Sequence, residues 1–178
     1  MCIRDRNKII KRNLKNFEKL VLASEQNPKN LDILLELART ASQLNKIDIE
    51  ISSLKKILSI KNSTKLKSLL AQAYIRKADG QVTSKAQKLI NEALTEDPLD
   101  PGANFLNGLA QSQIGNEMLA FEIWTELYKR TGENDTWKKD LENNIRSAAK
   151  NLGISQKTLE NKLKDNVLAN NGLSKEIL

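Results

Sequence analysis

Residues 79–124, DGQVTSKAQKLINEALTEDPLDPGANFLNGLAQSQIGNEMLAFEIW, constrain the fold more than any other part of the chain. They read as two helical hairpins joined at a proline, the first with extra residues between its helices. Apolar residues recur at spacings of three and four along the chain, and no run alternates with period two, so the class is all-α. Hairpins in series mean a repeat architecture. One hairpin cannot bury its apolar face alone, and stacking against neighbours completes the core.

Local chemistry places the helix boundaries. Asn27-Pro28-Lys29-Asn30 stops a first helix, and Asn30 is positioned to cap the next. There Leu31, Leu34, Leu35 and Ala38 share a face that Ala41 continues. A helix over 47–60 turns Ile51, Leu54, Ile57 and Leu58 inward, and one over 66–76 carries Leu69, Leu70, Ala73 and Tyr74. Ala78-Asp79-Gly80 breaks it. Ser84 opens the next helix, with Gln87 completing a capping-box pattern and Ala86, Leu89, Ile90, Ala93 and Leu94 facing in. Asp97-Pro98-Leu99-Asp100-Pro101 ends it; Asp100 suits an N-cap and Pro101 the first helical turn. Helices over 105–113 and 118–128 follow, and Asp135 is placed to cap one from 136 to about 152. Polarity rises from Gly153, where only a short helix over 158–167 and a frayed end are expected.

The hairpins recur every ~34 residues, the period of tetratricopeptide repeats. That repeat needs a small residue in helix A, another early in helix B, a large apolar residue four positions later, and a junction proline. The third repeat supplies Gly108, Ala120 and Trp124, with Gly132 in place of proline. The second supplies Ala71, Ala86, Ile90 and Pro98, with Tyr74 as the helix-A aromatic. The first supplies Ala38, Glu50, Leu54 and Asn62. Glu50 breaks the small-residue rule, which predicts a weak first repeat or a helix rotated to use Ile49 or Ile51. Trp124 and Tyr74 are core positions in this register. The expected organisation is one tetratricopeptide domain over 7–152, with repeats at 31–63, 64–100 and 101–134 forming a short right-handed solenoid. A capping helix over 136–152, with Trp137 and Leu141, covers its open end, and 153–178 is a polar C-terminal segment.

Met1-Cys2-Ile3-Arg4-Asp5 back-translates to the end of a transposon-based sequencing adapter, and Arg6 fits the next codon. Residues 1–6 are therefore read as a non-native scar, with the natural beginning expected upstream. Cys2 is the only cysteine and histidine is absent, which removes disulfides, thiol chemistry and the commonest acid–base and metal ligands. The formal charge is +7, but Lys outnumbers Arg 22 to 7 and the charges are scattered along the chain with Glu and Asp between them. That pattern suits solvated helix faces and an AT-rich codon bias. A phosphate-reading surface, with clustered Arg and aromatic platforms, is not expected, so nucleic acid is not a predicted partner. No run approaches the ~20 apolar residues of a membrane-spanning helix. Glu96 and Asp97 sit at a helix end, Glu117 and Glu122 are expected on a solvated face, and the glycines are isolated. The sequence therefore predicts no enzyme, cofactor or metal site.

Several motifs resemble the periplasmic tetratricopeptide domain of the cytochrome c maturation family. They are the Leu-to-Asn-Pro-x-x-Leu pattern over 20–31, the Gly-x-Val-Thr loop at 80–83, and the doubled Asp-Pro junction within 93–103. Gly-Leu-Ala-x-x-Gln-x-Gly at 108–115, Trp124-x-x-Leu127 and the later Trp137 complete the match, over roughly 17–152. The resemblance implies a chaperone that holds the C-terminal helix of haem-free apocytochrome c and delivers it to the haem ligation complex, with other cytochrome c maturation proteins as partners. It implies a periplasmic domain behind an N-terminal inner-membrane anchor missing from this sequence. A tetratricopeptide scaffold for cell-envelope assembly with an unrelated ligand is the alternative, and an oligomerisation domain is a third.

In stacked tetratricopeptide hairpins the A helices line a concave face. The positions left over from packing are Leu35, Arg39 and Gln43 in repeat one, Ser68, Gln72, Ile75 and Arg76 in repeat two, and Phe105, Leu109 and Gln113 in repeat three. Leu35, Phe105 and Leu109 offer apolar anchors and the others polar contacts, a mix that suits an amphipathic helix in a groove.

Overall fold

The computed structural model describes residues 3–132 and 134–163, with side chains from Leu14 onward. Every regular element among them is helical. The chain divides into two compact units, Met1–Leu89 and Ile90–Leu178. The first holds α1 (Ile3–Gln26), α2 (Leu31–Gln43), α3 (Ile47–Ile60), α4 (Thr64–Lys77) and the start of α5 (Ser84–Glu96). The second holds the rest of α5, α6 (Pro101–Gln113), α7 (Glu117–Lys129), α8 (Lys138–Asn151) and a helical segment over 156–163. The α1 helix includes residues 3–6.

Side chains start several helices where expected. Asn30 Oδ1 accepts from the backbone N–H groups of Asp32 and Ile33 at 3.1 and 3.2 Å, satisfying donors that the helix leaves unpaired. Asp100 Oδ1 accepts from Ala103 N at 2.7 Å, with Pro101 in the first turn. Two expected caps differ. Thr83, one residue before Ser84, caps α5 by accepting from Ala86 N at 3.3 Å. Asp135 does not cap α8. Its Oδ2 accepts from Gly132 N at 2.8 Å, closing a turn, and α8 starts after Trp137.

Four helices end alike. Lys46 N donates to Ala41 O, Gly80 N to Ile75 O, Asn116 N to Gln111 O and Ile154 N to Ala149 O, all at 2.8–2.9 Å. The residue before each donor has positive φ: Asn45 (54°), Asp79 (52°), Gly115 (86°) and Gly153 (71°). This is the Schellman closure, which recovers orphaned carbonyls through one left-handed residue. Asn and Asp tolerate that conformation better than other side-chain-bearing residues.

In the first unit, Leu34, Ala38, Ile51, Leu54, Ile57, Leu66, Leu70 and Ala73 form the core, with Tyr74 and Leu89 packed against it. The register therefore holds, and α3 is not rotated to replace Glu50. Leu69, expected inward, is 39% exposed, as is Leu35 at 44%. In the second unit Ala120, Phe121, Trp124, Leu127, Leu141 and Ile145 are buried together with Leu159 and Leu163. The Lys162 ammonium lies 5.0 Å from the Phe121 ring centre. So the described part of the expected short helix begins two residues early, at 156, and is packed. It follows α8 through the Leu152-Gly153-Ile154 turn and makes α8 the first helix of a further hairpin. Residues 164–167 of the expected short helix lie outside the described residues.

Candidate functional site

On α2, Leu35, Arg39 and Gln43 make one exposed row at four-residue intervals. The Arg39 side chain is 72% exposed, and the 3.8 Å approach of its Nη1 to Glu36 is a solvent-screened pair of small energetic weight.

On α4 the expected positions fall on two faces. Ser68 and Ile75 are buried with Ala71 between them, a stripe at spacings of three and four. Lys65, Leu69 and Gln72 are exposed and Arg76 partly so. The cause is the breadth of the α4 interface: Leu66, Lys67, Ser68, Leu70, Ala71, Ala73 and Ile75 are all buried. Of the positions read from the sequence, Gln72 and Arg76 therefore lie on the outer row, and Ser68 and Ile75 lie inside.

Arg76 has a partner that the sequence did not suggest. Its Nη2 lies 2.5 Å from both carboxylate oxygens of Glu50, which is only 5% exposed. Glu50 occupies the small-residue position of α3 and extends its carboxylate to α4. Beside it, Lys77 Nζ meets Asp48 Oδ1 at 2.5 Å on the surface. The hydrogen bond to Asp48, then its charge, raises the Lys77 pKa above the ordinary lysine value. Both pairs join the acidic first turn of α3 to the basic last turn of α4, the placement that helix dipoles favour. Asp48, Arg76 and Lys77, with Asn45, Lys46 and Asp79, wall a cleft of about 490 Å³.

In the second unit Phe105 and Leu109 are half-buried against the α7–α8 core, and Gln113 is exposed. Trp124 Nε1 donates to the Phe105 carbonyl at 3.0 Å. A Cβ added to Gly108 would stand 2.3 Å from that nitrogen. The glycine thus admits the indole, and the indole ties down the segment carrying Phe105 and Leu109. Trp124 is a core residue, as its register predicts.

The doubled Asp-Pro junction is cross-linked by hydrogen bonds. Asp97 Oδ1 accepts from Leu99 N at 2.9 Å, and Asn104 Nδ2 donates to the carbonyls of Pro98 and Asp100 at 2.9 Å each. Arg130 Nη1 donates to Leu99 O at 3.1 Å. Glu117, expected in solvent, is partly buried and accepts from Ser112 Oγ and Asn151 Nδ2, both at 3.1 Å. Exposed Ile114, Met118 and Leu119 were not singled out from the sequence, because their spacing matches that of core residues.

Among the described residues no three His, Cys, Asp or Glu side chains gather to hold a metal. No described helix is long and apolar enough to cross a membrane.

No protein-family model matches the sequence, and no curated protein does. Solved structures do. A crystal structure of MamA is 18% identical with a TM-score of 0.65, covering 98% of each chain. A second MamA structure is 17% identical with a TM-score of 0.63, covering 98% of this chain and 91% of that one. TTC0263, a thermophilic tetratricopeptide protein of Thermus thermophilus, is 17% identical with a TM-score of 0.59, covering 97% of this chain and 95% of that one. At such identities the likeness establishes the fold alone, an all-α helical-hairpin repeat of tetratricopeptide type.

Proposed function

We propose that this chain is a protein–protein interaction module that holds a helical or extended peptide segment of its partner. The observation that carries this reading is the exposed α2 row, where Leu35 stands in solvent between polar neighbours on a packed helix. An apolar side chain held in water by a rigid scaffold is a preformed anchor position. The fold, shared with a tetratricopeptide protein, supports the same reading.

The narrower reading is that the partner is apocytochrome c, bound through its C-terminal helix before haem ligation by a periplasmic domain on an inner-membrane anchor. Its support is the motif resemblance, chiefly the Gly80–Thr83 loop and the doubled Asp-Pro junction. The broader reading, a scaffold with another ligand, has the support of the fold as well.

One titration tests both. The chain is titrated with a peptide copying the C-terminal helix of an apocytochrome c, and with a scrambled peptide of the same composition. Saturable binding of the first alone, weakened about tenfold by Leu35→Ala, supports the narrower reading. Saturable binding of both, weakened by the same substitution, leaves the interaction module and removes the cytochrome. Binding of neither removes the cytochrome and leaves the α2 anchor without support.

A further inference from the structure

The charge of this chain is unevenly distributed. Residues 1–89 carry 19 basic and 8 acidic side chains, a net +11, and residues 90–178 carry 10 and 14, a net −4. The excess is steepest over 51–89, where nine basic residues face one acid, Asp79. Lys55, Lys56, Lys61, Lys65 and Lys85 of this stretch are all exposed. The outer row of α4 runs through it as Lys65, Leu69, Gln72 and Arg76, spaced as one helical stripe. Leu69 is thus an exposed apolar side chain with a lysine one turn before it. The end of α3 continues the pattern with Ile60, its last residue, 44% exposed, followed by Lys61 at the C-cap.

We infer that the outer row of α4 and the adjoining end of α3 take an acidic amphipathic segment of a partner protein. Leu69 and Ile60 contact its apolar side chains, and Lys61 and Lys65 face its carboxylates. The inference rests on the peptide-binding reading above and adds the partner's charge. A second copy of this chain is a poorer fit by magnitude. Its acidic half offsets only 4 of the 11 surplus charges, leaving +7 per copy. Nucleic acid is a poorer fit because the aromatic side chains described in this half, Phe17 and Tyr74, are both partly covered, leaving no exposed stacking platform. Complementary charge of this kind chiefly sets specificity and the rate of encounter.

The test titrates the whole chain with a synthetic helical peptide bearing a leucine stripe flanked by glutamates, and with the same peptide carrying glutamine for glutamate. The glutamate peptide is expected to bind about tenfold tighter, with the gap closing as salt is raised. Lys65→Glu, at an exposed position that leaves the helical circular-dichroism spectrum unchanged, is expected to weaken it about tenfold. Lys139→Glu, exposed in the other unit, is expected to leave it unchanged. Equal affinity for the two peptides, or no effect of Lys65→Glu, overturns the inference and leaves the peptide-binding reading standing. Binding of neither peptide overturns the inference, and the Leu35 titration then decides the broader reading by itself. Tighter binding of a single-stranded oligonucleotide or of anionic phospholipid vesicles, abolished by Lys65→Glu, assigns the surface to another class and also overturns it. So does a mass that rises with concentration and that the same substitution abolishes.

Discussion

A methyl group at position 108 would stand 2.3 Å from the Trp124 indole nitrogen and 2.5 Å from its neighbouring ring carbon. Neither partner can give way cheaply, because the indole is 3% exposed and hydrogen-bonded to the Phe105 carbonyl. Gly108→Ala is therefore expected to destabilise the fold by about 2 kcal/mol, as overpacking does, read as a lower midpoint in urea unfolding. An unchanged midpoint would mean that α6 and α7 have room to separate. Glu50 and Arg76 give an asymmetric pair of predictions. Arg76→Ala strands a carboxylate on a residue 5% exposed, whereas Glu50→Ala leaves an arginine whose side chain is already 35% exposed and can turn to water. The first is expected to cost about 3 kcal/mol and the second clearly less. Equal costs would show that the pair is hydrated from both sides.

At the scale of elements, the shared Schellman closure makes Asn45 the position to test. It holds φ at 54° without being glycine. Asn45→Gly is expected to be neutral or stabilising by a few tenths of a kcal/mol, and Asn45→Ala destabilising by about 1 kcal/mol, both measured by thermal unfolding. Asp100→Ala should cost about 1 kcal/mol as a lost N-cap. Asp135→Ala should leave α8 itself unaffected, since that carboxylate closes a turn on Gly132 instead. The surface pair Lys77–Asp48 adds a pH dependence between α3 and α4. The Lys77 pKa is raised in the folded chain, so its contribution is complete at neutral pH. That contribution is lost only as the pH rises through the raised value, beyond the ordinary lysine range. Lys77→Met should remove that alkaline response and, at neutral pH, lose the same contribution, which is small for a surface pair.

At the scale of the whole molecule, the hairpin pattern continues past α8. Leu159 and Leu163 are 4% and 7% exposed within the second unit's core. Leu159→Ala should therefore cost about 3 kcal/mol, as core leucine truncations do, where a frayed end would give almost nothing. That packing was not legible beforehand, because two leucines among polar residues carry too little periodicity to separate a packed helix from a solvated one. Much else was legible, and for a local reason. Helix starts and stops at Asn30, Asp100 and Pro101 depend on residues two to four positions apart. The pairing of Gly108 with Trp124 follows from a repeat whose spacing is written into the chain. The sequence by itself thus determined the all-α class, the hairpin register and the identity of most core positions. The tertiary structure alone decided which neighbour each surface met. Only it could show that Glu50, at a position meant for a small residue, is buried against Arg76 twenty-six positions away. Only it could show that Ile75 faces in while Leu69 faces out. Helical periodicity assigns a residue to a stripe, but how wide an arc of the helix is covered depends on partners that no local spacing records.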